Sequence, residues 1–507
     1  MNWRRSGNQT HRGDRILSTK LTAFALLLTL PAVLAASSES PSVPHYVLKD
    51  LGTLGGPNSY LSGGSHYLNS NGTIVGGADT ADWDPACGCA VSHAFKWNNG
   101  RLTDLGTLPD GDNFSFAGEI NSFGAIVGIS SNGVIDPASI FGFDVVATLW
   151  QNGRITNLGT LGGIFSAPER LNDSGQIAGG ASTTIPDPDN IWSDLKDIPS
   201  PTLWHAVLWR NGAIRDLGTL GGPASYAKFI DSRGRVAGNS YTRSIPKKPT
   251  PTPLWPDGVP LIHPFFWENG RMTDIGTLGG VFAFADEMNS VGQVVGRADL
   301  RGDGAMHAFL WSRGKMTDLG TIGDAVSAPS GINDLGAVVG FLVGADRIGG
   351  FLWRNGVMTD LGTLPGTTCT FPHHINNKGQ VVGDSDDCNF GVGGTVWLWQ
   401  AGAGFLDLNT LVPPESDMHL LEAQFIDDRG EIVGVGSFPN GDMHVFALIP
   451  QRSGSISASA FTASGDVAAD GATATYAAPV NMSPAKLTEL HARLANRPHG
   501  WGGRLTQ

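Results

Sequence analysis

A histidine recurs at the first position of a repeated tripeptide that reads His-Ala-Phe in its best-preserved copies. Histidine is a common proton carrier and metal ligand, so its repetition raises the question of catalysis or metal binding. The same position is occupied in five copies, opposite a threonine of a second repeated element. Such regularity favours hydrogen bonds inside a repeated sheet over a single reactive site. The five residues are His93, His205, His263, His307 and His444.

The four cysteines form two close pairs, Cys87 with Cys89 and Cys369 with Cys388. The second pair is symmetric about a predicted hairpin turn, so we expect a cross-strand disulfide there. The first pair lies near His93, which loosely resembles metal-ligand spacing, but no fourth ligand is evident. A local disulfide is therefore the preferred interpretation of Cys87 and Cys89, and no metal site is predicted.

Acidic loops offer a further possible chemistry, because clustered carboxylates and amides suit Ca²⁺. None of the three loops at 110–113, 187–190 and 384–387 matches a complete calcium-binding motif. We therefore predict no cofactor, and Ca²⁺ is the weaker alternative.

The elements that position these residues are short strands. The chain of 507 residues contains 70 Gly and 30 Pro, which argues against a helical bundle. Charged residues make up only 16%, and the net charge of −13 argues against a nucleic-acid or anionic-membrane partner. The composition indicates a large all-β protein.

A unit of the form HAFLW, turn, MTDLGTLGG, variable stretch, INxxGQVVG recurs eight times between residues 46 and 449, with a period of about 51 residues. Each unit contains four strand signals and two hairpin turns rich in Asn and Gly. Four short strands per period predict a blade of a β-propeller. We predict eight four-stranded blades, with seven as the alternative.

The two ends of the repeat array indicate a closed ring. The first unit, from Tyr46, lacks an HAFLW strand, and the last element, His444 to Ile449, is such a strand alone. We expect three N-terminal strands and this C-terminal strand to complete one sheet.

The HAF tripeptides and the DLGTLGG elements resemble the bacterial probable extracellular repeats called the HAF family. The resemblance covers about residues 45 to 450, although copies such as Gly349 and Thr395 depart from the tripeptide. It implies an exported repeat protein and brings no activity, substrate or catalytic residues.

The chain ends are expected to lie outside the ring. Residues 1–35 read as a Sec-type signal peptide, with basic residues before an apolar run and Val33 and Ala35 before the cleavage site. Residues 36–450 form the propeller, 451–482 a Ser/Ala/Gly/Thr-rich linker, and 483–507 a short helix and tail. We therefore expect a secreted or periplasmic monomer with no membrane span in its mature form.

Function is expected where the repeats differ, in the long connections before the HAFLW strands of the first half. Aromatic rings beside carboxylates suit sugar or peptide recognition. The preferred function is therefore a non-catalytic scaffold that binds an extracellular polysaccharide or protein through this long-loop face. Packing of these loops on their own surface is an equal alternative. The candidate residues are Trp83, Asp84, Asp187, Asp189, Trp192, Trp204 and Trp255.

The alternative function is a hydrolase or lyase acting on an extracellular polymer, with acid and base drawn from different blades. Its candidates are residues that interrupt the repeat in the variable stretch: Glu119, Asp286, Glu287, His373 and His374. Surface substitution is the simpler explanation of each, and no catalytic residue is predicted.

Overall fold

The computed structural model describes residues 44–451, except 62–65, 86–87, 110–113, 136–142, 189–199, 244–260, 324–325, 345–346, 365, 389–393 and 415. The predicted leader, linker and C-terminal helix lie outside these residues. Within the described part, the chain is all-β apart from one 3₁₀ turn, Leu408–Thr410. No helix in this part is long and apolar enough to cross a membrane.

The described strands form five hydrogen-bonded sheets of 4, 8, 4, 12 and 4 strands. Single parallel residue pairs hold the two larger sheets together, and the antiparallel pairing divides the strands into groups of four, which are called here units. Units 1 to 4 contain, in order, β2 (Gly55–Tyr60), β3 (Ile74–Asp84), β4 (Cys89–Asn98) and β5 (Arg101–Asp104); β6 (Ser115–Ile120), β7 (Ile126–Ile135), β8 (Phe143–Gln151) and β9 (Arg154–Asn157); β10 (Gly162–Leu171), β11 (Ile177–Pro186), β12 (Thr202–Arg210) and β13 (Ala213–Gly218); β14 (Ser225–Ile230), β15 (Val236–Tyr241), β16 (Ile262–Glu268) and β17 (Arg271–Asp274). Units 5 to 8 contain β18 (Gly279–Met288), β19 (Val294–Leu300), β20 (Met306–Ser312) and β21 (Lys315–Gly320); β22 (Val326–Ile332), β23 (Val338–Val343), β24 (Ile348–Arg354) and β25 (Val357–Gly362); β26 (Cys369–Ile375), β27 (Val381–Asp386), β28 (Thr395–Gln400) and β29 (Gly404–Asp407); β30 (His419–Ile426), β31 (Ile432–Ser437), β32 (Met443–Pro450) and β1 (Tyr46–Asp50).

The N-terminal strand β1 pairs with the last strand, β32, as predicted for the chain termini. The composition of that sheet was predicted wrongly, because it holds one N-terminal and three C-terminal strands. The reason is that each four-stranded unit starts with the variable stretch, continues through the VVG and HAFLW strands, and ends with the DLG strand. Only β1 precedes the first variable stretch, so β2 and β3 join unit 1 instead.

The first strand of each unit is called here the inner strand: β2, β6, β10, β14, β18, β22, β26 and β30. From β6 onwards, each inner strand contains a β-bulge near its C-terminal end, as between Ala117 and Glu119. In unit 8, a Cβ at Gly434 of the VVG strand would lie 1.9 Å from the backbone oxygen of Glu422 on the inner strand. This close approach explains why the glycine recurs in the VVG strands.

The repeated histidines bind aspartate rather than the predicted threonine. His93, His205, His263, His307 and His444 each place Nδ1 2.9 or 3.0 Å from the aspartate of a DLG element. In unit 6, where glycine replaces the histidine, Arg347 binds Asp360 at 2.7 Å instead. Four of the DLG threonines instead donate to the carbonyl of a glycine three positions later, as Thr53 Oγ1 does to Gly56 at 2.7 Å. A repeated structural pair, and not a reactive site, accounts for the tripeptide.

Candidate functional site

The hairpins that follow the inner strands each begin with Asn or Asp, and these eight residues are called here the Asx ring. Each one accepts hydrogen bonds from backbone N–H groups of its own turn; Asn333 Oδ1, for example, accepts from Leu335 at 3.1 Å and Ala337 at 2.9 Å. The members are Asn69, Asn121, Asn172, Asp231, Asn289, Asn333, Asn376 and Asp427.

The asparagines of the Asx ring also join neighbouring units. Nδ2 of Asn69 donates to the Asn121 carbonyl at 3.1 Å, and Asn121 repeats this contact with Asn172 at 3.2 Å. Asn172, Asn289, Asn333 and Asn376 donate to the next unit in the same way, at 2.8 to 3.0 Å. The asparagine amide therefore closes its own turn with one end and binds the adjacent unit with the other.

Aspartate lacks the amide N–H donor of asparagine. At both positions of the Asx ring that hold aspartate, a nearby arginine donates the hydrogen bond to the next unit instead. Arg235, beside Asp231, donates to the Val291 carbonyl of unit 5 at 2.7 Å. Arg429, beside Asp427, donates to the carbonyls of Ser70 at 2.7 Å and Asn69 at 3.2 Å. The second arginine joins unit 8 to unit 1, so the hydrogen bonds return to their starting point.

A pocket of about 420 Å³ lies inside the Asx ring, and every one of the eight units contributes to its lining. Its volume falls in the range of small-molecule binding sites. In units 2 to 5, 7 and 8 the lining includes the residue two positions before the Asx residue, immediately after the β-bulge, whereas unit 1 contributes His66 and unit 6 has glycine at this position. A bulge redirects the following side chains, so this slot faces the pocket instead of a neighbouring sheet.

Charged residues occupy this slot in units 2, 3 and 5. Arg170 of β10 is buried, and its Nη2 binds both carboxylate oxygens of Glu287 at 2.9 Å. Its Nη1 lies 3.4 Å from Oε1 of Glu119 and also contacts His66. His66 Nδ1 is in turn 3.2 Å from Glu119, and its side chain is half exposed. The Arg170 guanidinium of unit 3 thus contacts a histidine of unit 1 and carboxyl groups of units 2 and 5.

The two carboxylates differ in their surroundings. Burial raises the pKa of Glu119 well above its usual range, and the negative charges of Glu287 and Glu169 raise it further. Oε2 of Glu119 is buried and has no hydrogen-bond partner among the described residues. Glu287 is instead held by two hydrogen bonds to Arg170. The pocket therefore combines a carboxyl group that favours its protonated form with a carboxylate that has an arginine partner.

Two phenylalanine side chains, of Phe229 and Phe425, also line the pocket. Phe425 of β30 packs against the imidazole of His374, with ring centroids 4.4 Å apart, and Phe229 lies 5.6 Å from the Arg170 guanidinium. Burial lowers the pKa of His374 to about 4, so this imidazole is neutral near pH 7. Apolar ring faces beside hydrogen-bonding groups are typical of sites for polar organic ligands.

The lining is predominantly acidic. It contains the carboxyl groups of Glu119, Glu287 and five aspartates, against the guanidinium of Arg170. Two of the aspartates, Asp231 and Asp427, are paired with Arg235 and Arg429. The Arg170 guanidinium already binds two carboxylates, so the pocket favours neutral or cationic ligands over anionic ones.

The candidate residues of the long-loop face fall into three groups. Trp83, at the end of β3, is 64% exposed, and Asp84 beside it is partly buried. Trp204 and Asp187 are buried, which contradicts the expectation of an exposed surface. Trp204 packs against Phe165 and Tyr226, and its Nε1 donates to Ser200 Oγ at 2.9 Å. Asp189, Trp192 and Trp255 lie outside the described residues.

The candidates for catalysis are partly brought together. Glu119, Glu287 and His374 line the pocket, whereas Asp286 pairs with Arg297 at 3.3 Å and His373 contacts Asp384. Sequence reasoning missed Arg170 and His66. Aligning the repeats on the Asx residue would have found Arg170, because a charged residue occurs two positions earlier in three units.

The predicted disulfide between Cys369 and Cys388 is confirmed, with Cα atoms 5.1 Å apart. Cys369 lies opposite Asp386 in the strand register, and Cys388 follows the end of β27 with φ of +66°. Cys388 N–H donates to Asp386 Oδ1 at 2.7 Å, which turns the chain back toward Cys369. Cys89 is also disulfide-bonded, and Cys87 lies outside the described residues.

Comparisons with known proteins identify no relative by sequence: no protein-family model and no curated protein matches the chain. Among solved structures, it is similar to acylaminoacyl peptidase from Pyrococcus horikoshii, with 10% identity, a TM-score of 0.37, and coverage of 66% of this chain and 52% of that one. Dipeptidyl peptidase 4 from Porphyromonas gingivalis matches with 10% identity, a TM-score of 0.37, and coverage of 76% and 64%. TolB from Acinetobacter baumannii matches with 11% identity, a TM-score of 0.28, and coverage of 65% and 80%. The chain thus spans about half the length of the first peptidase, and these scores carry no argument about its function.

Proposed function

We propose that this protein is an exported eight-bladed β-propeller that binds a neutral or cationic saccharide in the pocket inside the Asx ring. The ring closure is supported by the pairing of β1 with β32 and by the Arg429 contacts that join unit 8 to unit 1. The predicted leader and the disulfide between Cys369 and Cys388 are compatible with export. The four strand signals in each repeat also support this architecture.

The observation that carries the binding proposal is the unpartnered Oε2 of Glu119, which is buried in the wall of the pocket. A buried polar atom without a partner costs free energy, and a ligand hydroxyl or amine recovers that hydrogen bond. The faces of Phe229 and Phe425 offer apolar contact to a sugar ring. The carboxylates of the lining favour a neutral saccharide or an amino sugar over a uronic acid.

Binding is tested by calorimetric titration with three oligosaccharides of equal length, made of neutral, amino and uronic sugars. We expect the neutral or amino oligosaccharide to bind the wild type. Glu119→Ala should weaken that binding by more than about tenfold, because it removes one buried hydrogen bond to the ligand. Binding of only the uronic oligosaccharide would contradict the electrostatic argument.

The matched control is Trp83→Ala, which removes an exposed ring of the long-loop face. Unchanged binding by this variant, together with loss in Glu119→Ala, supports the pocket. Loss in Trp83→Ala with normal binding by Glu119→Ala would instead support the long-loop face as the binding surface.

A second candidate function, hydrolysis of a glycosidic bond, is favoured by the contrast between Glu119 and Glu287. Both carboxyl groups contact one guanidinium, so they lie within the separation of about 10 Å or less that glycosidases use. In this reaction Glu119 donates its proton to the leaving glycosidic oxygen as the glycosidic bond breaks. Water attacks the anomeric carbon to form the new C–O bond, and Glu287 accepts the proton of that water. Release of reducing ends by the wild type and its loss in Glu119→Gln would support hydrolysis; intact substrate after binding would exclude it.

A further inference from the structure

We propose that His373, Asp384 and Glu422 form a binding site for one first-row divalent transition metal ion, between the inner strands of units 7 and 8. His373 belongs to β26, Asp384 to β27 and Glu422 to β30. One donor atom from each side chain lies within 4.8 Å of the other two, and all three residues are partly buried.

The backbone aims these side chains toward one another. His373 is the extra residue of the bulge in β26, since Pro372 pairs with Gly383 and His374 pairs with Val382. Its Nε2 contacts Oδ1 of Asp384 on the adjacent strand. Glu422 lies across the boundary between the two units, where β27 packs against β30. Two strands of one sheet and one strand of the next therefore supply the three donors.

Comparison among the units shows that Glu422 departs from the repeat. In each inner strand one residue pairs with the glycine of the VVG strand, and Glu422 immediately precedes that residue in unit 8. The residue at the same position in units 2 to 7 is aromatic or alanine. These residues are Phe116, Ala167, Tyr226, Phe284, Ala328 and Phe371. A carboxylate at this slot in unit 8 adds a charge that ordinary packing of the fold does not require.

The two residues of unit 7 that face Glu422, His373 and Asp384, also differ in charge from the residues at the same positions of unit 5. In unit 5 the bulge residue and its cross-strand neighbour are Asp286 and Arg297, which form an ion pair at 3.3 Å. In unit 7 the same slots hold His373 and Asp384. Adding Glu422 places two partly buried carboxylates beside one imidazole, and a divalent cation would offset their mutual repulsion.

The donor set determines the class of metal. One imidazole with two carboxylates suits Zn²⁺ and related first-row ions, whereas Ca²⁺ takes oxygen ligands. In a tetrahedral site, bonds of about 2.0–2.2 Å to one Zn²⁺ place its donors about 3.3–3.6 Å apart. The observed spread of up to 4.8 Å needs only a small side-chain rotation to reach this geometry.

The site is tested on untagged full-length mature protein that is stripped with a chelator and then titrated with Zn²⁺ in a calorimeter. We expect one Zn²⁺ per chain for the wild type and a loss of affinity of more than about tenfold in Glu422→Gln and in Asp384→Asn. Co²⁺ in place of Zn²⁺ gives a visible absorption band that reports coordination directly. Ca²⁺ is expected not to compete.

Asp104→Asn is the matched control, because it makes the same change in another His–Asp pair, formed by His93 of β4 and Asp104 of β5 in unit 1. Its Zn²⁺ affinity should equal that of the wild type. Thermal unfolding of the stripped proteins separates a folding defect from a binding defect. Equal binding by the wild type and both site variants would overturn the proposal, as would equal competition by Ca²⁺ or equal loss in the Asp104 variant.

Discussion

Replacing Asn333 by Asp changes one group of the Asx ring while keeping the size of the side chain. Asn333 is buried; its Oδ1 accepts two backbone hydrogen bonds in its own turn, and its Nδ2 donates to the Asn376 carbonyl of the next unit at 3.0 Å. Aspartate keeps the two acceptor contacts but loses the donor. The variant therefore removes the bond between units and keeps the bonds within the turn, and it adds one negative charge to the ring.

The cost is worked from two contributions. A lost intramolecular hydrogen bond costs about 0.5–1.5 kcal/mol, and leaving its buried partner unsatisfied costs about 1–3 kcal/mol. Because these overlap, we expect Asn333→Asp to lower the free energy of unfolding by about 2–3 kcal/mol. Equilibrium urea unfolding followed by tryptophan fluorescence measures this difference, with the thermal midpoint as a second readout.

A rescue variant makes the prediction specific. In unit 8 the aspartate of the ring is followed two residues later by Arg429, which donates to unit 1. The equivalent residue in unit 6 is Leu335, which is 70% exposed and can be changed without loss of core packing. We expect Asn333→Asp with Leu335→Arg to recover about half of the lost stability or more, while Leu335→Arg alone has little effect. A cost below about 0.5 kcal/mol for the single variant, or no rescue, would refute the role assigned to the ring.

Three further predictions concern other interactions. The hydrogen bond with Asp50 raises the pKa of His444, so its stabilisation is present below pH about 6.5 and is lost as the pH rises through the folded-state pKa. Asp50 is 41% exposed, so the effect should be under about 1 kcal/mol, and His444→Gln should remove this part of the pH dependence of the thermal midpoint. Burial raises the pKa of Glu119, so the wild type should lose stability as the pH rises through that pKa. Glu119→Gln should therefore be more stable than the wild type at pH 8, with a smaller difference at pH 5. Equal pH profiles of the two proteins would contradict this assignment. Replacing both Cys369 and Cys388, 19 residues apart, by Ala should cost about 3 kcal/mol in denaturant unfolding, and a loss below about 1 kcal/mol would show that the bond constrains little.

The repeat made the strands and turns predictable, because every copy supports the same interpretation of hairpins and short strands. The order of strands within a sheet was less accessible. The DLG and variable-stretch strands are adjacent in sequence but belong to different four-stranded units, and only the antiparallel strand pairing reveals that boundary. The aspartate partners of the histidines were missed for a related reason, since a register had to be known before Asp104 could be placed opposite His93.

The pocket was predictable only in part. Glu119 and Glu287 attracted attention as departures from the repeat, but their common partner Arg170 is 51 residues from one and 117 from the other. No local pattern connects residues at these separations. Arrangement of the units around one pocket brings them together, and the bulge in each inner strand turns their side chains into it.

Closure of the eight units into one ring is tested most directly by a disulfide engineered between β1 and β32. Leu48 and Leu448 pair directly across these strands, and both replacements by Cys keep the site apolar. We predict that Leu48→Cys with Leu448→Cys forms an intramolecular bond under mild oxidation, detected by mass spectrometry after proteolysis, and raises the thermal midpoint. Persistence of both new thiols in the folded, oxidised protein would contradict the closed ring.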